Sequence, residues 1–138
     1  MEANVILDTG PLVAYLDARD EHHAWAVEQF GGITNSMISC EAVLTEVCFL
    51  LQRFPRALEM IAQYLRDEII ITPFSISQHH TRVFNLLKQY HAVPMSLADA
   101  CVVCMAEDSR GSRVFTLDSD FHIYRLRGRS AIPLISPE

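Results

Sequence analysis

Five carboxylates in this 138-residue chain stand at positions where acids can act together. Asp8 directly follows the apolar run NVIL, and Asp118 and Asp120 directly follow RVFTL. Asp99 lies four residues after Met95, at the start of the apolar stretch LADACVVCMAE, and Glu46 sits inside the otherwise largely apolar EAVLTEVCFLL. Carboxylates brought to one place repel one another and rise in pKa unless a cation neutralises them. A donor set made of oxygens, with no His or Cys among them, selects a hard divalent ion, Mg²⁺ or Mn²⁺. Each acid also has a plainer explanation. Asp8 is suited to cap a helix, and Asp99 completes the S-x-x-D capping box with Ser96. Glu46 alone reads as a solvated helix residue, and Asp118 with Asp120 as a polar turn. Only their joint placement argues for a site.

That joint placement depends on the elements between them. NVIL, SMIS, EIIIT, RVFTL and AIPLI are short apolar runs of the kind that form strands buried on both faces. Between them lie segments of helical character. In DTGP, Thr9 or Gly10 is placed to cap a short helix through PLVAYL, with Pro11 in its first turn. A second helix spans His22 to Phe30 and stops at Gly31–Gly32. Val43, Leu44, Val47 and Leu51 recur at helical spacing up to Phe54–Pro55. Pro55 opens a further helix, with Leu58, Ile61, Ala62 and Leu65 on one face. A helix from Ile76 to Tyr90 turns Val83, Leu87 and Tyr90 inward, and Ser96 begins the last, which ends near Gly111. Strands alternating with helices predict an α/β fold: a three-layer α/β/α sandwich, Rossmann-like, around a mostly parallel sheet of four to five strands. With no repeat or linker, residues 1–138 read as one domain. In such sheets ligands bind beyond the carboxyl ends of the strands, which is where Asp8 and Asp118 fall.

The remaining chemistry-bearing residues give less. Cys101 and Cys104 form a C-x-x-C, but inside an apolar helix, and with Cys40 and Cys48 they read as thiols of a reducing compartment. The pairs His22–His23 and His79–His80 point to opposite sides of any helix and do not make zinc sites. No apolar run approaches the roughly 18 residues of a membrane span, and the start, MEANVILDTG, lacks the features of a signal peptide. The expectation is a soluble, cytoplasmic protein.

Taken in order, VILDTGPLVAYLD, the mid-chain TEV, SLADACVVCMAE and TLDSDF resemble a PIN domain, and the resemblance runs from Val5 to about Ile135. The size and layout are similar to those of VapC-type toxins, the ribonuclease members of bacterial toxin–antitoxin pairs. The resemblance implies a Mg²⁺- or Mn²⁺-dependent endoribonuclease with RNA as substrate, a cognate antitoxin as partner and a homodimer as assembly. Residue by residue, it implies that Asp8, Glu46 and Asp99 are the first three site acids. Asp118 is the preferred fourth, with Asp120 as its alternate. Thr9 and Thr116 match hydroxyls that hold those carboxylates.

Three other classes compete. A phosphatase with Asp8 as nucleophile wants a second Asp two residues on, where this chain has Gly10. A dinucleotide-binding module wants G-x-G-x-x-G after the first strand, and only Gly10 is present. The third is a PIN domain without an antitoxin, or a non-catalytic module whose acids hold a structural ion.

The net charge of −6 argues against nucleic acid, because phosphates attract basic surfaces. The charge is unevenly spread, however. From Arg110 to Arg129, five arginines (Arg110, Arg113, Arg125, Arg127 and Arg129) face two acids, a formal +3. The rest of the chain carries six basic and fifteen acidic residues, or −9. The arginines are candidate contacts to an RNA backbone beside the fourth acid, with ordinary solvated surface as the alternative.

Overall fold

The computed structural model describes residues 4–137. Strand β1 (Val5–Leu7) is buried throughout, which is why it reads as a continuous apolar run rather than an alternating one. It leads into α1 (Thr9–Leu16) and α2 (His23–Gly31), then β2 (Met37–Ile38), α3 (Glu41–Leu50), α4 (Pro55–Arg66) and β3 (Ile70–Ile71). Helix α5 (Ile76–Gln89) and α6 (Leu97–Asp108) precede β4 (Arg113–Phe115) and a 3₁₀ turn at Ser119–His122. The chain closes with β5 (Arg125–Leu126), β6 (Ser130–Ala131) and β7 (Leu134–Ile135).

Five strands form one sheet in the order β3-β2-β1-β4-β7, every pairing parallel. The register is Ile6 opposite Ile38 on one side and Val114 on the other, with Leu7 opposite Phe115. From β1 the chain winds outward through β2 and β3, then returns to place β4 on the other flank of β1. The crevice between the carboxyl ends of β1 and β4 is therefore the point where strand order reverses.

Helices flank the sheet as expected. Trp25 and Phe30 of α2 pack their rings around Phe115, at centroid distances of 5.5 and 4.9 Å. On α6, Ala98 to Ala106 are buried without interruption as the helix packs along β1 and β4. The C-x-x-C thiols lie inside this helix, and burial pushes Cys104 up to about 12, so neither zinc nor redox chemistry is favoured there.

Several details depart from the sequence reading. Helix α1 starts at Thr9, so Asp8 takes the capping position, yet its carboxylate makes no capping hydrogen bond. Helix α4 buries Ala57 and Ile61, with Tyr64 half-buried, while Ala62 and Leu65 face solvent. On α5 it is Leu86 that is fully buried beside Val83, with Leu87 and Tyr90 half-buried. In AIPLI only Leu134–Ile135 joins the sheet; Ala131 belongs to an antiparallel hairpin with β5 that the apolar pattern does not announce.

One ion pair fastens that hairpin to the helical layer. Arg82 of α5 grips Glu107 of α6 through two bonds, Nε to Oε1 at 2.8 Å and the second guanidinium nitrogen to Oε2 at 2.6 Å. Glu107 also accepts the backbone N–H of Arg127 at 2.6 Å, and its side chain is only 3% exposed. Removing one partner of such a pair strands a desolvated charge, whereas removing both does not. We expect Arg82→Met to cost about 2 kcal/mol in urea unfolding, discounted for the partly exposed guanidinium. The double variant Arg82→Met/Glu107→Met should recover most of that loss. A double variant no more stable than the single one would contradict this account.

Candidate active site

The backbone ladder between β1 and β4 continues one step past the strands: the Asp8 N–H donates to the Phe115 carbonyl at 3.0 Å. This bond sets Asp8 beside Thr116, whose hydroxyl donates to the Asp8 carboxylate at 2.7 Å. Both residues are buried, Asp8 at 4% exposure and Thr116 at 0%. The same Thr116 oxygen accepts the N–H of Asp118 at 2.9 Å, so a single hydroxyl positions one acid and the backbone of the next. Asp118 in turn accepts the N–H of Asp120 at 2.9 Å, which winds the 3₁₀ turn.

Asp99 arrives from α6. Ser96 and Asp99 form the expected capping box: the Ser96 hydroxyl accepts the Asp99 N–H at 3.0 Å, and the Asp99 carboxylate accepts the Ser96 N–H at 3.5 Å. The capping and site readings of Asp99 thus hold together, because its second contact is the Tyr124 hydroxyl, which donates to Oδ2 at 2.8 Å. Glu46, half-buried on α3, accepts the Thr9 hydroxyl at 2.6 Å. Beneath the site, the buried Ser39 hydroxyl donates to the Leu7 carbonyl at 2.9 Å and links β2 to β1.

The electrostatics follow from this packing. Burial raises the Asp8 carboxyl to about 7; the Thr116 hydroxyl and the Thr9 N–H oppose the rise, and the charges of Asp99 and Asp118 add to it. Asp99 is raised too, first by burial, against the Tyr124 hydrogen bond and with the Asp118 charge. The Asp118 charge thus acts on both Asp8 and Asp99, and the Asp99 charge on Asp8, and none of the ion pairs among the described residues supplies these acids with a cation. Each of Asp8, Glu46 and Asp99 is held by its own hydroxyl. Among the described residues, no three His, Cys, Asp or Glu side chains close into a ready-made metal cage. The donors offered are nonetheless all oxygen, and buried acids brought near further negative charge without a basic partner suit a hard divalent cation.

Tyr124 and Ser39 were not visible as site residues in the sequence. Tyr124 is an aromatic in a segment without periodicity, and only the fold carries its hydroxyl to Asp99. The five arginines lie in different places. Arg113 pairs with Val5 at the amino end of the strands, and Arg110 precedes it, so both lie at the sheet edge opposite the acids. Arg125 is occupied with the carbonyls of His122, Ile123 and Tyr124.

Fold and site together define an α/β domain with acids gathered at the carboxyl edge of a parallel sheet, where its strand order reverses. The chain belongs to the PIN domain family, whose sequence model matches residues 5–126. No curated protein matches the sequence. Among solved structures it is similar to VapC20 of Mycobacterium tuberculosis, described as a sarcin–ricin loop cleaving toxin. The TM-score is 0.75 at 19% identity, over 85% of this chain and 92% of that one. That likeness is one of fold.

The raised Asp8 has a consequence for stability. The folded protein holds a proton on Asp8 up to about pH 7, whereas an unfolded chain releases it near 4. Between those values the folded state binds more protons, so metal-free stability falls as pH rises through the window, by at most about 4 kcal/mol from this group. Thermal unfolding of the chelator-treated protein should show that decline, and Asp8→Asn, which cannot ionise, should flatten it. Parallel profiles for the two proteins would refute the assignment.

Proposed function

We propose that this protein is a Mg²⁺- or Mn²⁺-dependent endoribonuclease that hydrolyses RNA phosphodiester bonds, with Asp8, Glu46, Asp99 and Asp118 as its working acids. The observation that carries the reading is the approach of Asp8, Asp99 and Asp118 at the reversal point of a PIN-domain sheet, where each raises or is raised by another without a basic partner. Asp8, Asp99 and Asp118 would hold the ion, with Asp120 as the alternate to Asp118. Once bound, a divalent cation supplies Lewis acidity toward the phosphate and lowers the pKa of water.

The protein's own groups do the rest. Thr116 keeps Asp8 oriented while bearing the backbone of Asp118, and Tyr124 fixes the rotamer of Asp99. Glu46, steadied by the Thr9 hydroxyl, is the acid we assign to accept a proton from an attacking water. The likeness to a toxin supports the further reading that this chain is the toxin of a type II pair, partnered by an antitoxin; the homodimer is proposed from the family resemblance alone. No helix among the described residues is long and apolar enough to cross a membrane; a cytoplasmic place of action is part of the toxin reading.

Substituting Asp8→Ala or Asp99→Ala should abolish Mg²⁺- or Mn²⁺-dependent cleavage of RNA, and chelation should do the same to the parent. Variants that cleave as fast as the parent would overturn the proposal; bound Mn²⁺ without cleavage of any RNA would favour a structural ion instead. Thr116→Val deletes a hydroxyl that touches two acids without altering side-chain volume much. We expect it to weaken Mn²⁺ affinity about 10–100-fold, read by calorimetry, the range for loss of a group that orients a ligand.

A further inference from the structure

The arginines that the crevice does not use gather elsewhere. Arg110, Arg127 and Arg129 line a cleft of about 480 Å³ between the end of α6 and the β5–β6 hairpin, with Ser109 and Ser130 on its walls. Its one carboxylate, Glu107, is already taken by Arg82 and by Arg127, so it leaves the charges of Arg110 and Arg129 uncompensated. The Arg127 guanidinium donates to the Glu107 backbone carbonyl at 3.4 Å, and its charge also helps to lower the Glu107 carboxyl. Among the described residues, the Arg110 and Arg129 side chains have no hydrogen-bond or ion-pair partner. Three guanidinium groups around one cleft repel each other until an anion enters, and their planar forks suit phosphate oxygens.

The position of the cleft gives it meaning. Asp99 stands in the first turn of α6 and Glu107 near its end, eight residues or about 12 Å along the axis. The segment from Asp118 to Arg127 follows the same helix, touching Asp99 through Tyr124 and Glu107 through Arg127. Helix α6 itself is largely buried, but Ser119, His122, Ile123 and Arg127 of this segment are exposed and form the surface between the acids and the arginines.

We propose that this cleft is a second RNA-binding site, which grips the phosphodiester backbone several nucleotides from the scissile bond held at the acids. The choice of RNA over other polyanions rests on the ribonuclease reading above; the anion-binding character of the cleft does not. The enzyme accordingly acts on chains long enough to span α6, and discriminates against very short ones through binding.

The test separates binding from turnover by working in chelator, where no cleavage occurs. Anisotropy of a labelled single-stranded RNA of about a dozen nucleotides is recorded against salt for the parent and for R110Q/R127Q/R129Q. Three lost phosphate contacts should lower the slope of log affinity against log salt by about 2 and weaken binding at least tenfold at moderate salt. A dinucleotide, unable to span, should bind both proteins alike. Because Arg127 also touches α6, R110E/R129E is measured beside it, and its loss of affinity should be at least as large. Unchanged affinity and slope in both variants would overturn the proposal, as would tighter binding of an acidic peptide than of RNA with equal charge. Arginine-dependent RNA binding in a protein that cleaves no RNA would sink the ribonuclease reading and leave the cleft standing. Cleavage by the charge-reversed variant with parental KM at every RNA length would do the opposite.

Discussion

Asp8 is an acid that folding has nearly removed from water, with a threonine hydroxyl and a neighbouring N–H, rather than a base, to steady it. Burying an ionisable group in this way opposes folding, and the opposition grows with the charges of Asp99 and Asp118 close by. The core must compensate. It does so with the continuous apolar column of α6 packed on β1 and β4, and with the ring cluster of Trp25, Phe30 and Phe115 on α2 and β4. The acids sit at the seam of these well-packed elements, so their geometry is set by backbone register rather than by flexible loops.

Thr116 concentrates that control. It lies one residue beyond β4, directly across from Asp8, and its hydroxyl acts as donor to one acid and acceptor for the backbone of another. Serving two partners at once leaves it little rotational freedom, so the separation of Asp8 and Asp118 is tied to the β1–β4 pairing. Tyr124 plays a comparable part for Asp99 from a different segment, and Thr9 for Glu46. The hydroxyls hold these acids in place without neutralising them.

The sheet and its acids were legible in the sequence because both leave local marks. Short apolar runs followed at once by Asp8 and Asp118 give strand and site together, and S-x-x-D announces the start of α6. What was not legible depends on which residues meet across space. The amphipathic face of α4 was misplaced because apolar spacing alone allowed Leu65 inward, whereas Ala57 and Tyr64 flank Ile61 in the fold. Arg110 and Arg113 are close to Asp118 along the chain, yet β4 runs between them and carries the acid to the other edge of the sheet. Nothing local marks Tyr124 as a partner of Asp99, since 25 residues separate them in sequence.

The strands themselves are brief, two or three residues each. At about 3.3 Å per residue the sheet is roughly 10 Å deep from its amino edge to its carboxyl edge. The placing of Asp8 against Thr116 therefore rests on only three residue pairs between β1 and β4, from Val5 with Arg113 to Leu7 with Phe115. Strand length, ordinarily a matter of stability, here also sets how firmly the acids are held in register.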